Sequence, residues 1–108
     1  MRKLKKMAQV CQQTINSNIP AIVTSAGVAL ASNPKRVGWT IVNLGQNILY
    51  VCMGTTASTT VFHIPLKAGT SNDDGTGGSC GQEQGIIFTG DISVAGTSPR
   101  FVVTEFAP

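Results

Sequence analysis

The chain has 108 residues, of which 42% are hydrophobic and only 12% are charged. That length provides one small hydrophobic core and excludes a second folded lobe. The charged share is about half of that in an ordinary soluble domain, and a weakly charged surface promotes association. We therefore expect the protein to work in contact with other copies of itself or within a larger assembly.

The positive charge is concentrated at the N-terminus. The net charge is +3, and four basic residues lie within the first six positions, whereas the remainder has four basic residues against five acidic ones. A nucleic-acid-binding domain more often spreads Lys and Arg over one face of its folded body. We therefore expect no nucleic acid partner, and we favour an acidic protein surface as the partner of the basic segment.

The cysteines Cys11, Cys52 and Cys80 are odd in number and follow no zinc-ligand spacing. We expect no disulfide framework, no metal site and no cofactor, and synthesis in a reducing compartment. No apolar run of about seven residues follows the basic N-terminus, and no segment is long enough to cross a bilayer. Neither a secretory signal nor a membrane partner is predicted.

Residues 1–18 are predicted to form an N-terminal basic arm, followed by a folded domain at 19–108. Good helix formers fill positions 2–13, but their apolar stripe is too thin and too short to be stable alone. We expect the arm to order on a partner, and a solvated tail without a function is the alternative. The predicted partner-binding residues are Arg2, Lys3, Leu4, Lys5, Lys6, Met7 and Val10.

The best-specified stretch is 36–53, RVGWTIVNLGQNILYVCM, which predicts two strands joined by a tight turn at 44–47. Val37, Trp39 and Ile41 alternate onto one predicted apolar side of the first strand. Gly45 is expected to supply the positive φ that a short hairpin needs. The apolar run at 48–53 predicts a return strand covered on both faces. This hairpin is the predicted nucleus of the core.

Further short strands are predicted on both sides of the hairpin, at 19–23, 28–30, 60–66, 86–89, 91–95 and 100–106. The segment 67–85 has six glycines and no large apolar side chain, so it is predicted to be a functional or a mobile loop. No long helix is available to cover a sheet, so a second sheet must do so. The fold class is therefore an all-β antiparallel sandwich of seven or eight strands, either jelly-roll or immunoglobulin-like.

Catalytic residues are not predicted. A reaction would need a base beside a nucleophile, or two carboxylates held in one pocket. His63 is the only histidine, and its neighbours allow it to face solvent or to be a hydrogen-bonded strand residue. Asp91 and Glu105 fall in separate predicted strands with nothing to pair them. We therefore expect that the protein is not an enzyme.

Three other features have competing interpretations. Asp73-Asp74-Gly75 favours a turn over a calcium loop, because the spacing of oxygen ligands fails the calcium pattern. Trp39 favours the core over a sugar-stacking platform, since a lone Trp on an alternating strand is more often buried. Arg100 is expected to hold a loop in place through bidentate contacts.

Several motifs together resemble a known class of proteins. They are R-x-x-W-x-I-x-N-x-G-x-N-x-L-Y-V-x-x-G-x-x-A-S at 36–58, L-K-A-G at 66–69 and G-D-I-S-V-A-G at 90–96. This pattern, over about 35–105, is similar to the small β-sandwich proteins of tailed bacteriophage particles. Head decoration proteins, head-fibre bases and tail or collar proteins share such modules.

The resemblance implies a non-enzymatic virion component that is synthesised in the host cytoplasm and displayed in many copies. A fibre protein would continue into a repetitive shaft, whereas this chain ends at Pro108, so a capsid decoration or cement protein is the favoured hypothesis. Its expected partners are the major capsid protein or other virion proteins and further copies of itself, with a trimer among the expected homo-oligomers. The alternative is a carbohydrate-binding or host-attachment module that uses the 67–85 loop and Trp39.

Overall fold

The computed structural model describes residues 16–17 and 20–108, and this part of the chain is built entirely from β-strands and their connections. All strand pairs are antiparallel, and they form two four-stranded sheets. The predicted all-β antiparallel sandwich is therefore confirmed. The strands are β1 (Asn16–Ser17), β2 (Gly27–Leu30), β3 (Gly38–Asn43), β4 (Leu49–Cys52), β5 (Ile64–Leu66), β6 (Ser79–Gln82), β7 (Ile92–Ala95) and β8 (Phe101–Ala107).

The order of strands is that of a jelly roll. Sheet A has the order β1-β8-β3-β6, and sheet B has the order β2-β7-β4-β5. The first strand thus pairs with the last and the third with the sixth, while the second pairs with the seventh and the fourth with the fifth. This nested pairing is what results when one long antiparallel ribbon is wrapped around a core, and it separates the jelly roll from the immunoglobulin-like alternative.

The core lies between the two sheets and follows from the period of two along each strand. In β3, Trp39 and Ile41 point inward, while Thr40 and Val42 lie on the opposite side of the sheet. Each large side chain that is fully buried in this way contributes about 1.5–3 kcal/mol to folding. The buried apolar residues are Leu30, Trp39, Ile41, Leu49, Val51, Leu66, Ile92, Val94, Phe101 and Val103.

The predicted hairpin at 36–53 is wrong, although both of its strands are present. β3 belongs to sheet A and β4 to sheet B, so the turn at 44–47 carries the chain from one sheet to the other. Gly45 does not have a positive φ. A side chain there would place its Cβ only 3.3 Å from the Cβ of Arg100, so glycine permits a close approach of two segments and does not set the turn.

Several strand boundaries also differ from the prediction. The 67–85 loop contains β6, whose residues SCGQ have little β propensity and are held in place by pairing with β3. The segment 86–89 is not a strand, and β5 begins at Ile64 and not at position 60. Within the predicted strand at 19–23, Val23 makes an isolated bridge with Phe101.

The predicted arm at 1–18 extends two residues into the folded body. Asn16 and Ser17 form β1, which pairs with Ala107 and Phe106 of β8. Residues 1–15 and 18–19 lie outside the described part of the chain.

Candidate functional site

The residues predicted to bind a partner all lie outside the described part of the chain. These are Arg2, Lys3, Leu4, Lys5, Lys6, Met7 and Val10, and their roles stay predictions. The folded body therefore has to be searched for sites of its own.

His63 has a structural contact with the backbone. Its Nδ1 atom accepts a hydrogen bond from the Met53 amide at 3.1 Å, and its own amide donates to the Val51 carbonyl at 2.8 Å. Because Nδ1 is the acceptor, the proton of the neutral ring resides on Nε2. These two hydrogen bonds of His63 thus join β4 and the residue after it to the segment that leads into β5.

Within residues 16–17 and 20–108, no group of three or more His, Cys, Asp or Glu side chains could hold a metal ion. Asp91 accepts a hydrogen bond from the Ser32 amide at 2.6 Å, which ties the segment before β7 to the connection after β2. The same part of the chain contains no helix capable of crossing a membrane.

Glu105 forms an ion pair with Arg36, a partner that the sequence did not indicate. Arg36 Nε donates to Glu105 Oε2 at 2.8 Å, and the Arg36 side chain has no exposed surface. The other guanidinium nitrogens donate to the carbonyls of Phe88 and Gly90, both at 2.9 Å, and of Ala31 at 2.6 Å. The Arg36 guanidinium therefore joins β8 to the β2–β3 and β6–β7 connections at one end of the sandwich.

A second set of buried hydrogen bonds, made by Asn43, lies at the opposite end of the sandwich. The Asn43 amide nitrogen donates to the carbonyls of Asn47 at 2.9 Å, Lys67 at 3.1 Å and Leu66 at 3.3 Å, and its Oδ1 accepts from the Gly45 amide. The side chain is fully buried, so these bonds replace the water that it loses on folding. Asn43 thus holds in place the segment that carries the chain from β3 in sheet A to β4 in sheet B.

The loop at 67–85 is anchored to the body by an ion pair. Arg100 donates to both carboxylate oxygens of Asp73, from Nε at 2.8 Å and from Nη2 at 2.6 Å. The predicted bidentate role of Arg100 is confirmed, and Asp73 is its partner. Because the two groups hydrogen-bond, the pKa of Asp73 is lowered and that of Arg100 is raised.

Asp74 organises the tip of the same loop as a turn, which confirms the interpretation of Asp73-Asp74-Gly75. Its carboxylate accepts hydrogen bonds from the hydroxyl groups of Thr70, Thr76 and Ser71 and from the amides of Ser71 and Thr76. These bonds, chiefly the one from Thr70, hold the pKa of Asp74 well below its usual value. Both carboxylate oxygens of Asp74 thus accept hydrogen bonds from residues of the loop itself.

Trp39 is a core residue, as predicted. Only 1% of it is exposed, and its Nε1 donates to Gln82 Oε1 at 2.9 Å. It therefore cannot stack against a sugar, and the glycan-binding surface predicted around it is wrong. Among the cysteines, burial raises the pKa of the Cys80 thiol to about 11, which keeps that thiol protonated and unreactive near neutral pH.

The described strands carry no charged side chain on their outer sides. Among the strands described, the only charged residue is Glu105, and it lies on the inward side of β8 and is bonded to Arg36. The other charged residues of the body lie before, between or after strands, at Lys35, Arg36, Lys67, Asp73, Asp74, Glu83, Asp91 and Arg100. The strands thus add no charge to the outer faces, although Glu83 lines a groove on the outer side of β3 and β6 together with Thr40 and Val42.

Apolar side chains are also exposed on and beside sheet B. Val28 of β2 is 51% exposed, and in the connection between β4 and β5 Val61 is 51% and Phe62 is 39% exposed. Phe62 packs against Tyr50 of β4 with ring centroids 4.8 Å apart and planes tilted by 52°. Sequence analysis missed this patch because it placed Val61 and Phe62 inside a strand at 60–66, although the consecutive apolar residues VF before His63 were a visible signal.

The described residues thus include exposed apolar side chains on and beside sheet B, and they contain no group of His, Cys, Asp and Glu that could hold a metal ion. A comparison of the chain with known protein families found no match, and comparisons with curated proteins and with solved structures found none either.

Proposed function

We propose that this protein is a structural component of a tailed phage particle, which binds the outer surface of the capsid as a decoration or cement protein. The observation that carries the proposal is the absence of charge from the outer side of every described strand. Charged groups keep a protein soluble and monomeric, and their desolvation opposes association. A body whose described strands carry no outward charge is therefore suited to contact with neighbours.

The exposed neighbours Val61 and Phe62, beside β4, are the proposed contact between copies. Both side chains are apolar and exposed, and aromatic residues are enriched at protein interfaces. A homo-oligomer formed through these residues would remove them from water, and display in many copies would add weak contacts through multivalency. The major capsid protein or another virion protein is the proposed second partner.

Two further observations support the proposal. The motifs at 36–58, 66–69 and 90–96 resemble those of small phage particle proteins, and jelly rolls recur in viral capsid proteins. The latter is an argument from fold analogy, since one fold serves many functions. On this proposal the protein resides in the virion, on the head surface, and it performs no catalysis and needs no cofactor.

The arm supplies the proposed electrostatic contact with the particle. Arg2, Lys3, Lys5 and Lys6 carry four positive charges, whereas the body from position 7 onward has a net charge of −1. An acidic protein surface would attract the arm without attracting the body. Such binding weakens as salt is added, because the charges are screened over about 8–10 Å at physiological ionic strength.

The contact between copies is tested by sedimentation of the purified protein. A V61S/F62S variant is expected to shift the wild-type oligomer toward monomer at equal concentration. Ile86→Ser is the matched control, because Ile86 is 95% exposed and follows β6 on the edge of the other sheet. A wild-type protein that is monomeric at high concentration, or equal effects of both variants, would contradict the proposed interface.

Binding to the particle is tested by imaging capsids that carry a labelled copy of the protein. Deletion of residues 1–15, which spares β1, is expected to lower the occupancy on expanded capsids. Undiminished occupancy would reject the role of the arm. Absence of the labelled wild-type protein from purified particles would reject the proposed function as a whole.

Glycan binding was the alternative, and its predicted aromatic platform is absent because Trp39 is buried. Binding of soluble glycans by the wild-type domain would revive this alternative. Substitution of Trp39 cannot serve as the test, since loss of a core tryptophan costs about 3–5 kcal/mol and would unfold a small domain.

A further inference from the structure

The edge strand β6 of sheet A lacks the features that usually keep sheet edges from pairing with another chain. It pairs with β3 on one side and with no other described strand. Its sequence, SCGQ, contains no proline and no charged residue, and its register with β3 runs without a bulge. Proteins commonly interrupt an exposed edge with proline, charge or a bulge. The free side of β6 is therefore open to a further strand.

The other described edges have such interruptions. β5, at one edge of sheet B, contains Pro65, which has no amide hydrogen to donate. β2, at the opposite edge, begins at Gly27 with a φ of 126° and has a register shift between Val28 and Leu30. In β1 only Asn16 and Ser17 form the described strand. Extended pairing is thus disfavoured at these edges and remains possible at β6.

The hydrogen bonds between β3 and β6 show which peptide groups face the free edge. The Asn43 amide donates to the Gly78 carbonyl at 2.8 Å, and residues along an antiparallel strand bond alternately to its two sides. Cys80, two positions after Gly78, therefore also bonds to β3. The amides and carbonyls of Ser79 and Gly81 face away from β3, and both residues are exposed. These backbone groups can bond to a further strand.

A second copy of β6 supplies matching partners for these groups. When two copies of β6 run antiparallel with Ser79 of one opposite Gly81 of the other, each outward amide meets an outward carbonyl. The same register places Glu83 of one copy opposite Gly77 of the other. Lys67 is adjacent there, since its carbonyl accepts a hydrogen bond at 2.8 Å from the amide of the residue after Gly77. Lys67 and Glu83 are both exposed, so unlike charges meet at each end of the pair.

We propose that β6 pairs antiparallel with β6 of a second copy of the protein, so that sheet A of one copy continues into sheet A of the other. The contact is isologous, because both copies use the same strand. It is separate from the contact proposed at Val61 and Phe62, which lie before β5 at the edge of the other sheet. It concerns the purified protein, so its test does not depend on the proposed place in a phage particle.

Hydrogen exchange of single amides, followed by nuclear magnetic resonance over a range of protein concentrations, tests the pairing. The Ser79 and Gly81 amides should exchange freely in dilute protein and about tenfold or more slowly in concentrated protein. The Cys80 amide is the internal control, because its bond to β3 should protect it at every concentration. Free exchange of Ser79 and Gly81 in concentrated protein would overturn the proposal. Protection that does not change with concentration would also overturn it and would show that the same chain covers the edge.

A proline substitution removes one of the outward amides. Proline is tolerated in an edge strand where its missing N–H would face solvent, and far-ultraviolet circular dichroism verifies that Ser79→Pro folds. Sedimentation equilibrium should show self-association of Ser79→Pro that is about tenfold or more weaker than that of wild type, because the pair loses one hydrogen bond from each copy. Ser79→Ala keeps the amide and should associate like wild type. Equal association of the two variants would overturn the proposal.

An exchange of charges tests the register without altering the backbone. Glu83→Lys turns a positive charge toward Lys67 of the second copy and should weaken self-association, whereas K67E/E83K restores unlike charges and should recover it. A double variant that associates as weakly as Glu83→Lys would overturn the proposed register.

The V61S/F62S variant distinguishes the two contacts between copies. Protection of the Ser79 and Gly81 amides in concentrated protein should persist in this variant. Its loss would show that the protection arises from the contact at Val61 and Phe62, and it would overturn the pairing of β6.

Discussion

Arg36 and Glu105 are 69 positions apart in the sequence, and the Arg36 guanidinium donates to the Glu105 carboxylate at 2.8 Å. Arg36 precedes β3 and Glu105 lies near the end of β8, so the pair forms only after these two strands have paired in sheet A. Three carbonyl groups use the remaining donors of the same guanidinium. Lysine could not replace it, because lysine lacks the planar fork of donors.

Arg36→Ala is expected to lower the free energy of unfolding by about 3–5 kcal/mol, because removing one partner leaves a partly buried carboxylate uncompensated. Glu105→Gln keeps a hydrogen-bond acceptor but leaves the fully buried Arg36 guanidinium without its counter-charge, so a loss of similar size, about 3–5 kcal/mol, is expected. Urea denaturation measures the free energy of unfolding of both variants. Lys35→Ala is the control, since Lys35 is exposed, and an equally large loss there would argue against a specific role for the pair.

Asn43→Ala is expected to lower the free energy of unfolding by about 2–4 kcal/mol, because three carbonyl groups and one amide lose a buried partner. Asn43→Asp should cost at least as much, since it turns a carboxylate oxygen toward three carbonyl oxygens. Asn47→Ala is the matched control. Asn47 is exposed and takes part through its backbone carbonyl alone, so thermal unfolding of this variant should stay close to that of wild type.

Gly77→Ala is expected to destabilise the protein strongly. A Cβ at Gly77 would lie 2.1 Å from the Asn43 carbonyl oxygen, which belongs to the backbone and cannot rotate away. Gly54→Ala is the control, since its Cβ would meet Cys52 Sγ at an ordinary 3.4 Å. Melting temperatures of the two variants compare them directly, and a Gly77→Ala protein as stable as Gly54→Ala would show that the 67–85 loop can move off β3.

The stability of the 67–85 loop is expected to fall in acid. The pKa values of Asp73 and Asp74 in the folded protein lie below their usual 3.8, so the folded state favours the charged carboxylates. Their contribution is fully present above about pH 5 and is lost as the pH falls below 4 through the folded values. Hydrogen exchange of the loop amides between pH 6 and pH 3, corrected for intrinsic rates, should show declining protection.

A D73N/D74N variant provides the control for this pH dependence. It should have weaker loop protection than wild type at pH 6, and the difference should shrink toward pH 3, because the carboxylates of the opened loop, with ordinary pKa values, become protonated there and opening is favoured. Glu83→Gln, which alters an exposed carboxylate beyond β6, should leave the profile unchanged. A difference between wild type and D73N/D74N that stays constant with pH would show that these carboxylates do not control the loop.

The alternation of side chains in the sequence was enough to predict the sandwich. Trp39 and Ile41 two positions apart, and Phe101 and Val103 likewise, indicate strands with one buried face, and these positions are buried. The strand β6 could not be predicted in this way. Its residues Ser79, Cys80, Gly81 and Gln82 have no apolar alternation, and the edge of β3 supplies the hydrogen-bonding partner that makes them a strand.

By itself, the sequence determined the fold class, the burial of Trp39, the turn at Asp74 and the bidentate role of Arg100, because each depends on a local pattern or on the chemistry of a single side chain. Only the tertiary structure decided that β3 and β4 lie in different sheets, that Glu105 pairs with Arg36, and that no described strand turns a charged side chain outward. These features arise from contacts between residues far apart in the chain, and sequence spacing does not encode which distant segments will meet.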